Sequence, residues 1–340
     1  MGPALRNLIA GLRLHPVLLT TPLAALAVGA GFGAQALLRS ETQDPALLEA
    51  LIARPDPVPT AVSRQSSDAT ATASNGLPAS LRAQRAAEGA PGRGGGLAEP
   101  QAGPEVPLEI RVALLKLSRQ PSLSATGPWR LSDRSGRELL MGNRGAAVPY
   151  LPLLADHSEL WLETTADARV KADGRSYEGR LRIVRGDGGV RVVNHLPLEN
   201  YVSSVVGGEM PSGWNAEALR AQAVAARSYA LAHMARPAGE HWHLGDTPRW
   251  QNYEGLSSVS AATREATSST AGIILSYQGG IVESLYAATQ QIVDEAHGHL
   301  GASMSQTGAQ QLASQGLRYN EILGRYYQGA SLARLQAGAR

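Results

Sequence analysis

The chain has 340 residues, 43% of them hydrophobic, and a formal net charge of only +2. That length supports one or two domains with real cores, and the charge gives no electrostatic case for a nucleic-acid partner. No cysteine occurs, which excludes disulfides and thiolate metal sites.

Arg6 and Arg13 precede an uncharged run over residues 14–38, which Arg39 closes. The run is about long enough to span a bilayer, and basic residues before an apolar stretch also fit a secretory signal. Gly31-Phe32-Gly33-Ala34 offers small residues for cleavage. Residues 1–39 are therefore expected to direct export to the cell envelope, either as a membrane anchor or as a cleaved signal. The positive flank places the N-terminus on the cytoplasmic side. Residues 40–105 are rich in Ala, Pro, Gly and Ser, with Gly92-Arg93-Gly94-Gly95-Gly96 near the end. Apart from a short possible helix at 45–53, they read as a flexible tether.

A domain is expected over 106–335. Strands are predicted at 107–115, 159–164, 178–184 and 190–193. Ala172-Asp173-Gly174 and Gly186-Asp187-Gly188-Gly189 are turn signals. The second half changes character. A helix is predicted at 215–234, with Asn215 as N-cap and Glu217 in its first turn. A shorter helix follows at 260–271, then a hairpin of 273–277 and 281–286 around Gln278-Gly279-Gly280. Helices are predicted at 305–315 and 319–327. Strands with interspersed helices, without regular alternation, indicate an α+β fold: a strand-rich first part, then a mixed core. The one phenylalanine, Phe32, lies in the export segment, so Trp and Tyr supply the aromatic area of the domain. Basic charge is carried almost wholly by arginine; Lys116 and Lys171 are the only lysines.

Glu209 stands between Gly207-Gly208 and Met210-Pro211, on the approach to the 215–234 helix. Val205, Val206, Met210 and Trp214 are neighbours that would dry the carboxylate and raise its pKa, making it a proton donor near neutral pH. A nearby helix N-terminus would act the other way. The alternative is that Glu209 only complements the helix dipole or pairs with an arginine. Arg220 and Arg227, seven residues apart, share one helix face. Leu219, Ala223, Ala226 and Ala230 form a small-residue stripe that permits close packing.

Two long blocks carry a resemblance. They are Leu196-Pro-Leu-Glu-Asn-Tyr-Val-Ser-Ser-Val-Val-Gly-Gly-Glu-Met-Pro211 and Glu217-Ala-Leu-Arg-Ala-Gln-Ala-Val-Ala-Ala-Arg-Ser-Tyr229. With Gly298-His299, Ser303-Met304-Ser305-Gln306-Thr307-Gly308-Ala309 and the ending Tyr319 to Gly329, they closely resemble the SpoIID/LytB family. That family comprises the sporulation stage II protein D and the amidase enhancers of bacterial cell walls. The resemblance covers roughly residues 106–332. It implies a lytic transglycosylase that cuts the MurNAc–GlcNAc bond of peptidoglycan with one Glu as acid and base and no cofactor. By the same resemblance Glu209 is that residue, Arg227 and Arg220 orient it or the glycan, Tyr229 stands behind, and His299 lines the groove or stabilises its loop. The alternative implied role is a non-catalytic module that binds peptidoglycan or stimulates a cell-wall amidase.

The chain departs from the family pattern twice. Where some relatives bind zinc through Cys-Asp-Thr-x-x-Cys-Gln, this chain has Gly245-Asp-Thr-Pro-Arg-Trp-Gln251. His241-Trp-His243 and His297-Gly-His299 lack a placed acidic third ligand, so no metal is expected. Between 289 and 297 the chain is shorter than the family pattern, and part of the groove wall is expected to be missing.

Overall fold

The computed structural model describes residues 95–186, 188–297 and 302–336. The expected export segment, most of the tether and His299 lie outside those residues. Among the described residues, no helix is long and apolar enough to cross a membrane.

The first half is built on strands. β1 (Glu109–Ala113), β2 (Leu123–Ala125), β3 (Trp129–Asp133) and β4 (Glu138–Gly142) precede a short helix, α1 (Tyr150–Asp156). β5 (Glu159–Thr164), β6 (Val170–Ala172), β7 (Arg175–Tyr177), β8 (Arg180–Gly186) and β9 (Gly189–Pro197) follow. A later strand, β10 (Leu244–Gly245), completes a seven-stranded sheet in the order β10-β1-β9-β8-β5-β3-β4, while β2, β6 and β7 form a small sheet of their own. Period-two alternation gives the large sheet two unlike faces. Ile110, Val112, Leu131, Leu160, Leu162, Leu181, Ile183, Val192 and Leu196 are buried on one. The other carries cross-strand pairs such as Arg130–Glu163 and Arg182–Glu159.

The predicted turn at Ala172-Asp173-Gly174 joins β6 to β7. Asp173 has φ 46° and Gly174 φ 80°, the left-handed pair that a two-residue hairpin loop requires.

The second half holds the helices. α2 (Leu198–Glu209) begins directly where β9 ends, and α3 (Ala216–Ala235) is the long alanine-rich helix. The Asn215 side chain caps α3, accepting from the Glu217 N–H. The small-residue stripe is wholly buried: Leu219 is 1% exposed, and Ala223, Ala226 and Ala230 are 0%. These short side chains let α2, α4 (Ala261–Ser268) and β11 (Ile273–Tyr277) approach α3 closely.

β11 turns through Gln278 and Gly279 into β12 (Gly280–Ile281). The predicted second hairpin strand stops there. The Ser284 hydroxyl donates to the Ala225 carbonyl on α3, which draws the chain away from β11. β13 (Leu285–Ala287) pairs instead with β14 (Ser303–Ser305), in parallel. The connection between them contains α5 (Gln290–Ile292) and a π-turn at Val293–His297. α6 (Gln306–Ser314), α7 (Tyr319–Tyr326) and β15 (Ser331–Arg334) close the domain, with β15 on the free side of β11.

Residues 95–105 have no regular secondary structure, yet the Leu97 N–H donates to the Asn320 carbonyl, and Glu99 pairs with Arg318.

Candidate functional site

Glu209 is the last residue of α2. Its position follows from Pro211. A residue before proline is pushed out of the α region, and Met210 is extended at φ −130°, ψ 142°. The helix therefore ends on the carboxylate. Sequence reasoning placed Glu209 ahead of a helix N-terminus; the structure places it at a helix C-terminus. The orphan carbonyls there carry negative partial charge and disfavour a second negative group.

The carboxyl group is held on both oxygens. Oε1 accepts the Asn252 N–H at 2.8 Å, and Oε2 accepts from Gln306 Nε2 at 3.2 Å. Glu209 is half-buried by surface area, but protein atoms crowd its carboxyl group. That desolvation raises its pKa above the ordinary 4.5, against the opposing pull of Asn252, Gln306 and Lys116.

Asn252 is held in turn. Its Nδ2 donates to the Gly208 carbonyl at 2.8 Å, and its Oδ1 accepts from Lys116 Nζ at 2.7 Å. Gly208 has to be glycine for this contact, because a Cβ there would collide with the Asn252 carbonyl oxygen. Beneath the site, the buried Tyr201 hydroxyl donates to Gln251 Oε1, and Gln251 Nε2 donates to the Tyr286 hydroxyl, each at 2.8 Å. Burial keeps both phenols protonated, and the nearby Glu209 carboxyl adds to the effect. Asp246 is a second buried carboxyl; it accepts the Leu115 N–H at 2.8 Å, and burial raises its pKa.

The sequence-predicted arginines do not join this site. Arg227 is 0% exposed and forks onto Glu199, with Nε to Oε1 at 2.8 Å and Nη2 to Oε2 at 2.6 Å. Its remaining donors go to the carbonyls of Thr267, Ile273 and Ala223. Glu199 is in the first turn of α2 and Glu209 in the last, about 15 Å apart along a helix axis. Arg220 bonds Glu217 and Ser269. Tyr229 is buried, with its ring 4.5 Å from that of His233. It lies near enough to Tyr201 to influence its ionisation. An open hollow lined by Val106, Leu108, Pro197 and Leu198 sits at the start of α2, away from Glu209.

Five contributors were not among the predicted residues: Lys116, Gln251, Asn252, Tyr286 and Gln306. Three left a trace in the sequence. Lys116 is one of two lysines among many arginines, Gln251 ends the run that stands in place of the zinc motif, and Gln306 sits in the tail motif. Asn252 acts through its backbone N–H, which no side-chain pattern announces.

Among the described residues, no three or more His, Asp or Glu side chains are grouped to hold a metal ion. Gly245 and Trp250 pack on each other, since a Cβ on Gly245 would stand 2.5 Å from the Trp250 ring. His243 is turned onto Arg111, and burial with that guanidinium brings its pKa down to about 3. His297 Nδ1 lies 2.8 Å from the Ser303 hydroxyl.

Residues 186–277 match the family model described as SpoIID, Stage II sporulation protein. Over this stretch the chain is similar to the SpoIID family. It is 33% identical over 117 residues to an uncharacterized protein of Brachyspira hyodysenteriae, covering 34% of this chain and 32% of that protein. With the amidase enhancer of Bacillus subtilis it shares 31% identity over 137 residues, 40% of this chain and 18% of the relative. With the stage II sporulation protein D of the same organism it shares 33% over 112 residues, 28% of this chain and 33% of the relative. The matches thus span a third or less of those relatives' own length. Glu209 and Asn252 fall inside the family stretch, whereas Lys116, Tyr286 and Gln306 fall outside it.

Proposed function

We propose that this protein acts on the bacterial cell wall as a peptidoglycan lytic transglycosylase, with Glu209 as its single acid and base. The observation that carries the reading is a carboxyl group crowded by protein, still part-exposed, and held above its ordinary pKa at the end of α2. The protonated group donates to the glycosidic oxygen as the bond from MurNAc C1 breaks. The resulting carboxylate then takes the proton of the same sugar's 6-hydroxyl as that oxygen closes on C1. A 1,6-anhydro end forms, Glu209 regains its proton, and no water enters. A hydrolytic glycosidase needs a second carboxylate at a set separation; this route does not. Asn252 and Gln306 hold the carboxyl group in one orientation throughout, and the protein reads as exported.

The test is release of soluble fragments from purified, peptide-stripped glycan strands. Wild type should release them and Glu209→Gln should not; equal release by both removes the assignment.

A second reading is favoured by one match, the relative named amidase enhancer. There the domain would bind peptidoglycan and stimulate a cell-wall amidase without cutting glycan. Amidase stimulation that survives Glu209→Gln, with no glycan release by wild type, would select it.

A further inference from the structure

The Glu209 carboxylate accepts from Asn252 through a backbone N–H, so its geometry depends on whatever holds the 246–252 segment. Three contacts do so. Asp246 Oδ1 accepts the Leu115 N–H at 2.8 Å. The Trp250 ring and the Leu115 side chain both pack over Gly245. Lys116 Nζ donates to Asn252 Oδ1 at 2.7 Å. All three reach the residues that leave β1, so the strand-rich half of the domain supplies the support of a carboxylate on α2.

Lys116 differs from the other two contacts in its chemistry. It is a lysine in a chain whose basic charge is otherwise almost all arginine, and its ammonium is a compact point charge on a flexible stem. By donating to Asn252 Oδ1 it fixes which end of the amide faces it. The other end, Nδ2, then donates to Gly208, one residue before Glu209. Asn252 is clamped on both sides, and its N–H is aimed at Oε1.

We propose that Lys116 is a positioning residue of the Glu209 site, acting through Asn252 and setting the charge that Glu209 experiences. The catalytic consequence rests on the transglycosylase reading; the positioning itself does not. The charged and titratable groups facing this cluster are few. Lys116 comes from the segment after β1, Tyr201 from α2 and Tyr286 from β13, while Asp246 faces Lys116 from its own loop. Lys116 is the cation of the set, and its field opposes the effect of burial on Glu209.

The experiment follows the titration of Glu209 itself, in the full chain carrying glutamate isotopically labelled at Cδ. The signal is assigned by its loss in Glu209→Gln. In Lys116→Met the midpoint should move upward by roughly half a pH unit or more, because the opposing charge is gone. Lys116→Arg keeps the charge and should stay closer to wild type. Asn252→Ala retains the N–H but removes the Oδ1 anchor; it should move the midpoint upward too, and the double variant should show less than the sum. If Lys116→Met does not fold, Asn252→Ala and Lys116→Arg carry the test. A midpoint unmoved in the folded Met or Ala variant overturns the proposal, and so does strict additivity. Where wild type cuts glycan, the alkaline limb of its pH–rate profile should move with the titration. Absence of cutting by wild type removes the transglycosylase reading and leaves the Lys116 result standing on the titration.

Discussion

Arg227 closes on Glu199, not on Glu209. The bidentate pair joins the middle of α3 to the first turn of α2, and the carbonyls of Thr267, Ile273 and Ala223 accept the remaining guanidinium protons. An arginine with every donor used inside the protein supports the helix pair rather than a substrate. Removing it leaves Glu199 without its cation next to a buried cavity. Arg227→Met should therefore lower unfolding free energy by about 3 kcal/mol. Urea denaturation measures this. Glycan release, normalised to the folded fraction, should then stay within roughly a few-fold of wild type.

Glu209 gives a stability prediction that is independent of any substrate. A carboxyl group whose folded pKa is raised binds its proton more tightly in the fold than in the unfolded chain. Its contribution is full below the unfolded pKa and is lost as pH rises through the folded one. Glu209→Gln removes that dependence. The variant should thus gain stability relative to wild type as pH rises from acid to neutral. Asp246 is raised in the same direction, so the Glu209→Gln variant should still keep part of the slope. Denaturation of both proteins across that pH range reads the difference.

How far the sequence revealed this arrangement depended on what kind of signal each part carried. The 215–234 helix was plain from its alanine-rich run and its asparagine cap, and the β6–β7 turn from Asp173-Gly174. α2 was harder. Leu198, Tyr201, Val202, Val205 and Val206 do repeat at helical spacing, but β-branched residues and paired glycines disfavour a helix. Packing against α3 and α4 overrides that preference. The raised pKa of Glu209 was legible because its neighbours are apolar. That residues 116, 252 and 306 gather around it was not, since they arrive through tertiary contacts. Arg227 misled for a physical reason: an arginine in an alanine-rich face serves a buried ion pair as readily as an active site.

Gly208 and Gly207 should tolerate no side chain. A Cβ on Gly208 meets the Asn252 carbonyl oxygen, and one on Gly207 meets that of Ser258. Either alanine variant should cost about 1–3 kcal/mol by overpacking. Gly208→Ala should also weaken glycan release beyond its effect on folding, because it displaces the loop that presents the Asn252 N–H. Denaturation and release assays on the two variants, compared side by side, separate the two effects.

Gln306 provides the second bond to Glu209, at 3.2 Å. It favours the charged carboxylate, so Gln306→Ala should raise the Glu209 pKa further and extend activity toward higher pH. Loss of orientation should at the same time lower the maximal rate by roughly tenfold, about 1.4 kcal/mol in the barrier. A pH–rate profile of the variant checks both signs in one experiment.

Under the proposed function, one protonated carboxyl group on α2 severs glycan strands without water. The most direct test is the mass of the new chain ends after peptide-stripped strands are incubated with wild type and with Glu209→Gln. Wild type alone should yield anhydro ends, lighter than hydrolysed ends by one water. Reducing ends that have gained water, or anhydro ends formed equally by the variant, would contradict it.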